Sequence, residues 1–130
     1  MFVVRLLQVQ LKSCLALAFF TAWPLSAFAA QEKAYDGIYR FGPEVETISP
    51  CGTGDKEWWV ITTDENWEAL RAAGAKFMTN IDSGFFVKVL GFYDGPATEE
   101  KSGAFSTQYE GVFKVTKIIT ARKRTAQDCK

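Results

Sequence analysis

Residues Tyr35–Cys51, YDGIYRFGPEVETISPC, decide how the chain folds. The stretch opens as a period-two segment, with Ile38 and Arg40 on one face and Tyr39 and Phe41 on the other, which predicts a half-buried strand. Gly42-Pro43 then breaks or bulges it, because proline cannot donate to a ladder and glycine reaches dihedrals that other residues avoid. A second alternating segment follows, placing Val45, Thr47 and Ser49 on one side and Glu44, Glu46 and Ile48 on the other. Pro50-Cys51-Gly52-Thr53-Gly54-Asp55 is turn chemistry.

Glu57–Thr63, built on Trp58-Trp59-Val60-Ile61, reads as the next strand, with Trp58 and Val60 opposite Trp59 and Ile61. A helix comes next. Thr62 and Glu65 are spaced for a capping box, Asp64 and Glu65 suit the positive end of the helix dipole, and Gly74 offers a left-handed stop. Trp67, Leu70 and Ala73 form its apolar stripe. After a connection over 76–84, Phe85–Tyr93 alternates strongly with a bend expected at Gly91. Ala97–Thr107 reads as a polar surface loop. Gly111–Arg124 closes the domain as one bent strand or two short ones, changing register near Thr116-Lys117.

The order β-β-β-α-β-β predicts a mainly β fold with one helix, a small antiparallel five-stranded OB-like barrel. That count requires Gly42-Pro43 to separate two strands; otherwise four strands form the sheet and one is long and curved.

Working back toward the start, Arg5 and Lys12 are the only charges before Glu32, and Leu15–Phe28 is an apolar run ending in Ala27-Phe28-Ala29. This is the order of a cleaved secretory signal peptide, predicted over residues 1–29 with cleavage between Ala29 and Ala30. The run is shorter than the roughly 20 residues a spanning helix needs, so no stable membrane insertion is expected after cleavage. Cys14 precedes the apolar run and has Lys12 beside it, which argues against a lipoprotein box. Residues 30–130 then form a single domain, exported to the periplasm or beyond.

Two cysteines stay in that domain, Cys51 and Cys129, and in an oxidising compartment they predict one structural disulfide. On the chain-entropy model a loop of this length stabilises the fold by about 4 to 5 kcal/mol. The 15 Lys and Arg of the chain less Arg5 and Lys12 leave 13, against 15 Asp and Glu. Such a balance lacks the basic footprint of a nucleic-acid binder, and no nucleic-acid partner is expected.

The chain has no histidine. Ser-His-Asp, Cys-His and histidine-bearing zinc sites are therefore excluded, no catalytic residue, metal site or cofactor is predicted, and carboxylate chemistry alone is left. Glu44 and Glu46 point the same way on a strand and could form an acid pair, although such pairs more often decorate a solvated edge. Lys114, Lys117, Arg122, Lys123 and Arg124 form one basic patch. Trp58, Trp59, Tyr39 and Tyr93 are the candidates for a ligand platform, since binding pockets combine apolar walls with a few polar groups.

The run G-x-E-V-x-T-I-x-P-C-G from Gly42 to Gly52, followed by Trp58-Trp59-Val60 and a late cysteine, resembles small bacterial envelope proteins. It is similar to the OB-type C-terminal domain of the NlpE envelope-stress lipoprotein. The resemblance implies a β-barrel of the cell envelope without catalytic activity. The chain departs from that family in lacking a lipobox and an amino-terminal C-x-x-C. Three functional readings follow: a non-enzymatic module that binds an envelope protein or glycan, an inhibitor of an exported hydrolase such as lysozyme acting through 97–107, and a small carboxylate-dependent hydrolase.

Overall fold

The computed structural model describes residues 31–130. The leader expected over residues 1–29 and its junction at Ala29-Ala30 lie outside the described residues. Five strands dominate: β1 (Lys33–Gly42), β2 (Val45–Pro50), β3 (Trp58–Ile61), β4 (Phe85–Tyr93) and β5 (Val112–Arg122). Between β3 and β4 lies the main helix, α1 (Asp64–Phe77), so the mainly β class with one principal helix holds.

Gly42-Pro43 separates two strands. Gly42 pairs with Val45, which leaves Pro43 and Glu44 as a two-residue turn, and Glu44 takes the left-handed position at φ 58°. β1 starts earlier than its alternation suggests, because Lys33, Ala34 and Tyr35 pair with Gly91, Leu90 and Val89 of β4. The sheet is not wholly antiparallel. β5 lies between β3 and β4 and runs parallel to β3, pairing Trp59 with Val112 and Ile61 with Lys114. A parallel neighbour needs a long crossover, and α1 together with β4 provides it. The strand series β1-β2-β3-β5-β4 closes on itself through the β1–β4 ladder.

β5 is one strand, bent where two residues are squeezed out of register. The steps from Val115 to Lys117 and from Ile118 to Thr120 each oppose consecutive residues of β4, leaving Thr116 and Ile119 as bulges. The segment 97–107 is more ordered than a plain loop: it holds a short helix, α2 (Glu99–Ser102), capped by Thr98, and one turn of 3-10 helix over Ala104–Gln108.

Inside the closed sheet sit Tyr39, Ile48, Val60, Phe85, Val87, Val89, Phe113 and Val115, with Leu70 of α1 completing the core from one end. The helix begins one residue later than the capping-box spacing suggests. Thr63 caps it, accepting from the Asn66 N–H, while Thr62 donates instead to the Val115 carbonyl at 2.8 Å. Gly74 is not its stop. The helix runs on to Phe77, and Gly74 is the notch that admits Phe41: a Cβ there would lie 1.8 Å from Phe41 Cε1.

A buried polar cluster joins helix to sheet. Glu46 of β2 faces inward with only 8 % exposure, and the Tyr39 hydroxyl donates to its Oε2. Arg71 of α1 brings Nε to 3.5 Å from Glu46 Oε1 and lays its guanidinium over the Trp67 ring at 3.3 Å. Among the described residues neither Oε1 nor Nε has a hydrogen-bond partner. Burial raises the Glu46 carboxyl above its ordinary range, and the Tyr39 hydroxyl, the Trp67 indole and Arg71 only partly offset it. The Tyr39 phenol is pushed up as well, by burial first and by the carboxylate second.

Two predictions follow from this packing. Alanine is the better helix former by about 1 kcal/mol, yet Gly74→Ala should lower stability in a urea titration, because overpacking costs about 1–3 kcal/mol; the Phe41→Leu background should recover part of the loss. A carboxyl whose folded pKa is raised favours folding when protonated and loses that contribution as pH rises through the folded value. Thermal midpoints should therefore fall as pH rises above the ordinary glutamate range of about 4.3, and Glu46→Gln should flatten that slope. A Gln variant with the parent's pH profile would contradict it.

Candidate functional site

The strand alternation that sends Tyr39, Ile48 and Trp58 inward sends Arg40, Thr47, Ser49 and Trp59 to the outer surface of β1, β2 and β3. Register then brings them together: Arg40 opposes Thr47, and Thr47 opposes Trp59. Thr47 has no exposure although it faces out, and it donates to Glu57 Oε1 at 2.5 Å. Arg40 is held from three directions. Its Nε donates to the Asp82 carbonyl at 3.1 Å, its Nη1 to Ser49 Oγ at 3.0 Å, and the same nitrogen lies 3.7 Å from Glu57 Oε1. Tyr109, carried in by the end of the 3-10 turn, sets its ring 5.5 Å from that of Trp59. Its phenol is pushed up by burial and then by the Glu57 carboxylate.

Two clefts meet at this pair. One of about 400 Å³ is lined by Arg40, Val45, Glu57, Ile81, Asp82 and Tyr109. The other, about 360 Å³, is lined by Ile38, Arg40, Ser49, Glu57, Arg124 and the Cys51–Cys129 link, among others. Both volumes fall in the roughly 300–1,000 Å³ range of ligand pockets. Arg40 and Glu57 border each of them, presenting fixed donors beside fixed acceptors. Such a pair suits a hydroxyl-rich ligand, whose groups donate and accept at once.

The residues singled out from sequence are distributed differently. Cys51 and Cys129 are joined, with Cα atoms 4.6 Å apart. Of the four aromatics considered for a platform, Trp58 and Tyr93 come together and Tyr39 and Trp59 lie apart from them. Tyr39 is fully buried in the core. Trp58 packs on the inner side, its ring 4.8 Å from Tyr93 and 5.8 Å from Phe113. Trp59, next along the strand, must point the other way, so the two tryptophans cannot share a surface.

The basic patch is likewise dispersed along β5 and the tail. Lys114 pairs with Asp94 at 3.8 Å, and Arg122 makes a two-pronged bond to Asp128 at 2.7 and 2.9 Å while covering the Phe86 ring. That bond raises the Arg122 pKa and holds Asp128 well below the usual carboxylate range. Arg124 donates to the Ser83 carbonyl at 3.2 Å, and Lys117 and Lys123 stand exposed. Glu44 and Glu46 are not a pair: the first sits in the hairpin turn, the second inside.

Sequence reasoning missed Arg40, Glu57 and Tyr109 as site residues. Alternation alone places Arg40 and Trp59 outward, which was a usable signal; Tyr109 arrives from a long connection, and no local pattern marks it. Among the described residues no three Cys, Asp or Glu side chains converge to hold a metal ion. No family model, curated protein or solved structure matches the chain.

Proposed function

We propose that this chain is an exported, non-enzymatic binding module of the bacterial cell envelope whose closed sheet is an OB-like barrel of the type in the NlpE C-terminal domain. Its ligand is an oligosaccharide, taken on the outer surface of β1, β2 and β3. The carrying observation is the Arg40–Glu57 pair, shared by two clefts and flanked by Tyr109 with Trp59 behind it. Aromatic rings cover the apolar face of a sugar while the charged pair bonds its hydroxyls. OB barrels use the surface of strands 2 and 3 for oligonucleotides and oligosaccharides; that support is analogy of fold. The acidic Glu57 and Asp82 in the cleft favour the sugar over a phosphate backbone.

Export is supported by the disulfide, a bond of oxidising compartments. Among the described residues no helix is long and apolar enough to cross a membrane.

A second reading, inhibition of an exported hydrolase, draws on the 94–111 connection. Lys101 donates to the Asp94 carbonyl, Ser102 and Ser106 hydroxyls lie 2.6 Å apart, and Phe105 stands 57 % exposed on this pinned lobe. A rigid aromatic projection is what a target cleft would receive.

Titration with the neutral β-1,4-linked tetramer of N-acetylglucosamine, followed by tryptophan fluorescence, separates the readings. Saturable binding is expected, weakened at least about tenfold by Tyr109→Ala, which is about 1.4 kcal/mol. Absence of saturation up to millimolar sugar would overturn the proposal, and loss of lysozyme activity in the protein's presence would establish the inhibitor reading instead.

A further inference from the structure

A third cleft, of about 590 Å³, shares part of its lining with the second of the two at the Arg40–Glu57 pair. Its wall is the tail of the chain. Arg124, Asp128 and Cys129 line both this cleft and the one bordered by Arg40 and Glu57. Shared lining links the three spaces in order: Tyr109 at the first, Arg40 and Glu57 common to first and second, and Arg124, Asp128 and Cys129 common to second and third. A compact ligand would fill one of them; an extended chain fits the succession.

Charge changes along it. Glu57 and Asp82 face Arg40 in the first cleft, whereas Lys123, Arg124 and Lys130 line the third. Among the described residues, the one carboxylate side chain lining the third cleft, Asp128, is already engaged by both prongs of Arg122. Arg124 is held in place by its bond to the Ser83 carbonyl. Phe77 and Gly84 supply apolar surface beside these cations. Neutral, hydroxyl-bearing chemistry is favoured at one end and an anionic group at the other.

We infer that the three clefts form one track for a linear acidic oligosaccharide, with a neutral ring at Tyr109 and a carboxylate-bearing ring between Lys123 and Arg124. This rests on the proposed sugar-binding role and adds to it the ligand's charge and the share taken by the tail.

The test compares two probes by calorimetry on the oxidised protein at low salt. One is the neutral tetramer of N-acetylglucosamine. The other is a tetrasaccharide alternating N-acetylglucosamine with N-acetylmuramic acid, which adds a carboxylate to every second ring. The acidic probe is expected to bind at least tenfold tighter, and the preference to shrink as salt screens it. Lys123→Gln and Arg124→Gln, made singly and together, are expected to bring the two probes level. Lys123 is exposed, and among the described residues its side chain makes no hydrogen bond or ion pair that a variant would lose, so its result stands if the Arg124 variant is unstable. Equal affinities in the parent protein, or a preference that survives both substitutions, would overturn the track while leaving the sugar-binding role intact. Binding of neither probe would remove both.

Discussion

One covalent link sets the outer surface of the domain. Cys51 closes the turn after β2, Cys129 sits 78 positions later in the tail, and their bond draws residues 123–130 across the outside of the sheet. Ile38 and Phe86 point outward from β1 and β4, yet they are 3 % and 8 % exposed. The Arg122 guanidinium lies 3.9 Å over Phe86, and Ile38 lines the same cleft as Asp128 and Cys129. Arg122 and Asp128 reinforce the strap from within. Closing so long a loop contributes about 4 to 5 kcal/mol on the chain-entropy model, a large fraction of the ~5–15 kcal/mol that holds a domain of this size.

The sheet therefore carries two layers of packing. Inside are the aromatics and β-branched residues of a small core, capped by Leu70 and keyed to α1 by Phe41 in the Gly74 notch. Outside, the tail covers one part and leaves the Arg40–Glu57 region beside it as concave surface. The same strap that protects Ile38 and Phe86 is thus a wall of two clefts. Polar groups are buried on both sides, and their fates differ. Thr47, outside, is satisfied by Glu57; Glu46, inside, has one oxygen bonded by Tyr39 and the other left to a 3.5 Å ion pair. Burial, which those contacts only partly offset, raises the Glu46 carboxyl above its ordinary range.

Much of this was legible in the residues. Alternation through Ile38–Phe41, Trp58–Ile61 and Phe85–Tyr93 gave the inner and outer faces correctly, and Gly91 and Thr116 marked places where the β4–β5 register does shift. Gly74 misled because a glycine near a helix end reads as a stop, whereas here its missing Cβ serves a ring from a distant strand. Period two also kept Glu44 and Glu46 together, since it could not show that the turn consumes Glu44. The parallel β3–β5 ladder is a matter of chain routing, which local pattern does not encode. Of the aromatics offered as a ligand platform, Trp58 does meet Tyr93, while Tyr39 lies at the middle of β1, fully buried in the core. Tyr109 joins the site only when the 94–111 connection folds back against Trp59, and Glu57 joins through its contacts with Thr47 and Arg40 of the neighbouring strands.

The most direct test of this account is peptide mapping of the purified native protein without reduction, after alkylation of any free thiol. A single cross-linked species joining the segment around Cys51 to the segment around Cys129, with neither sulfur alkylated, is the predicted result. Alkylation of both cysteines in folded protein would contradict it, because the tail would then have no anchor and the outer clefts no wall.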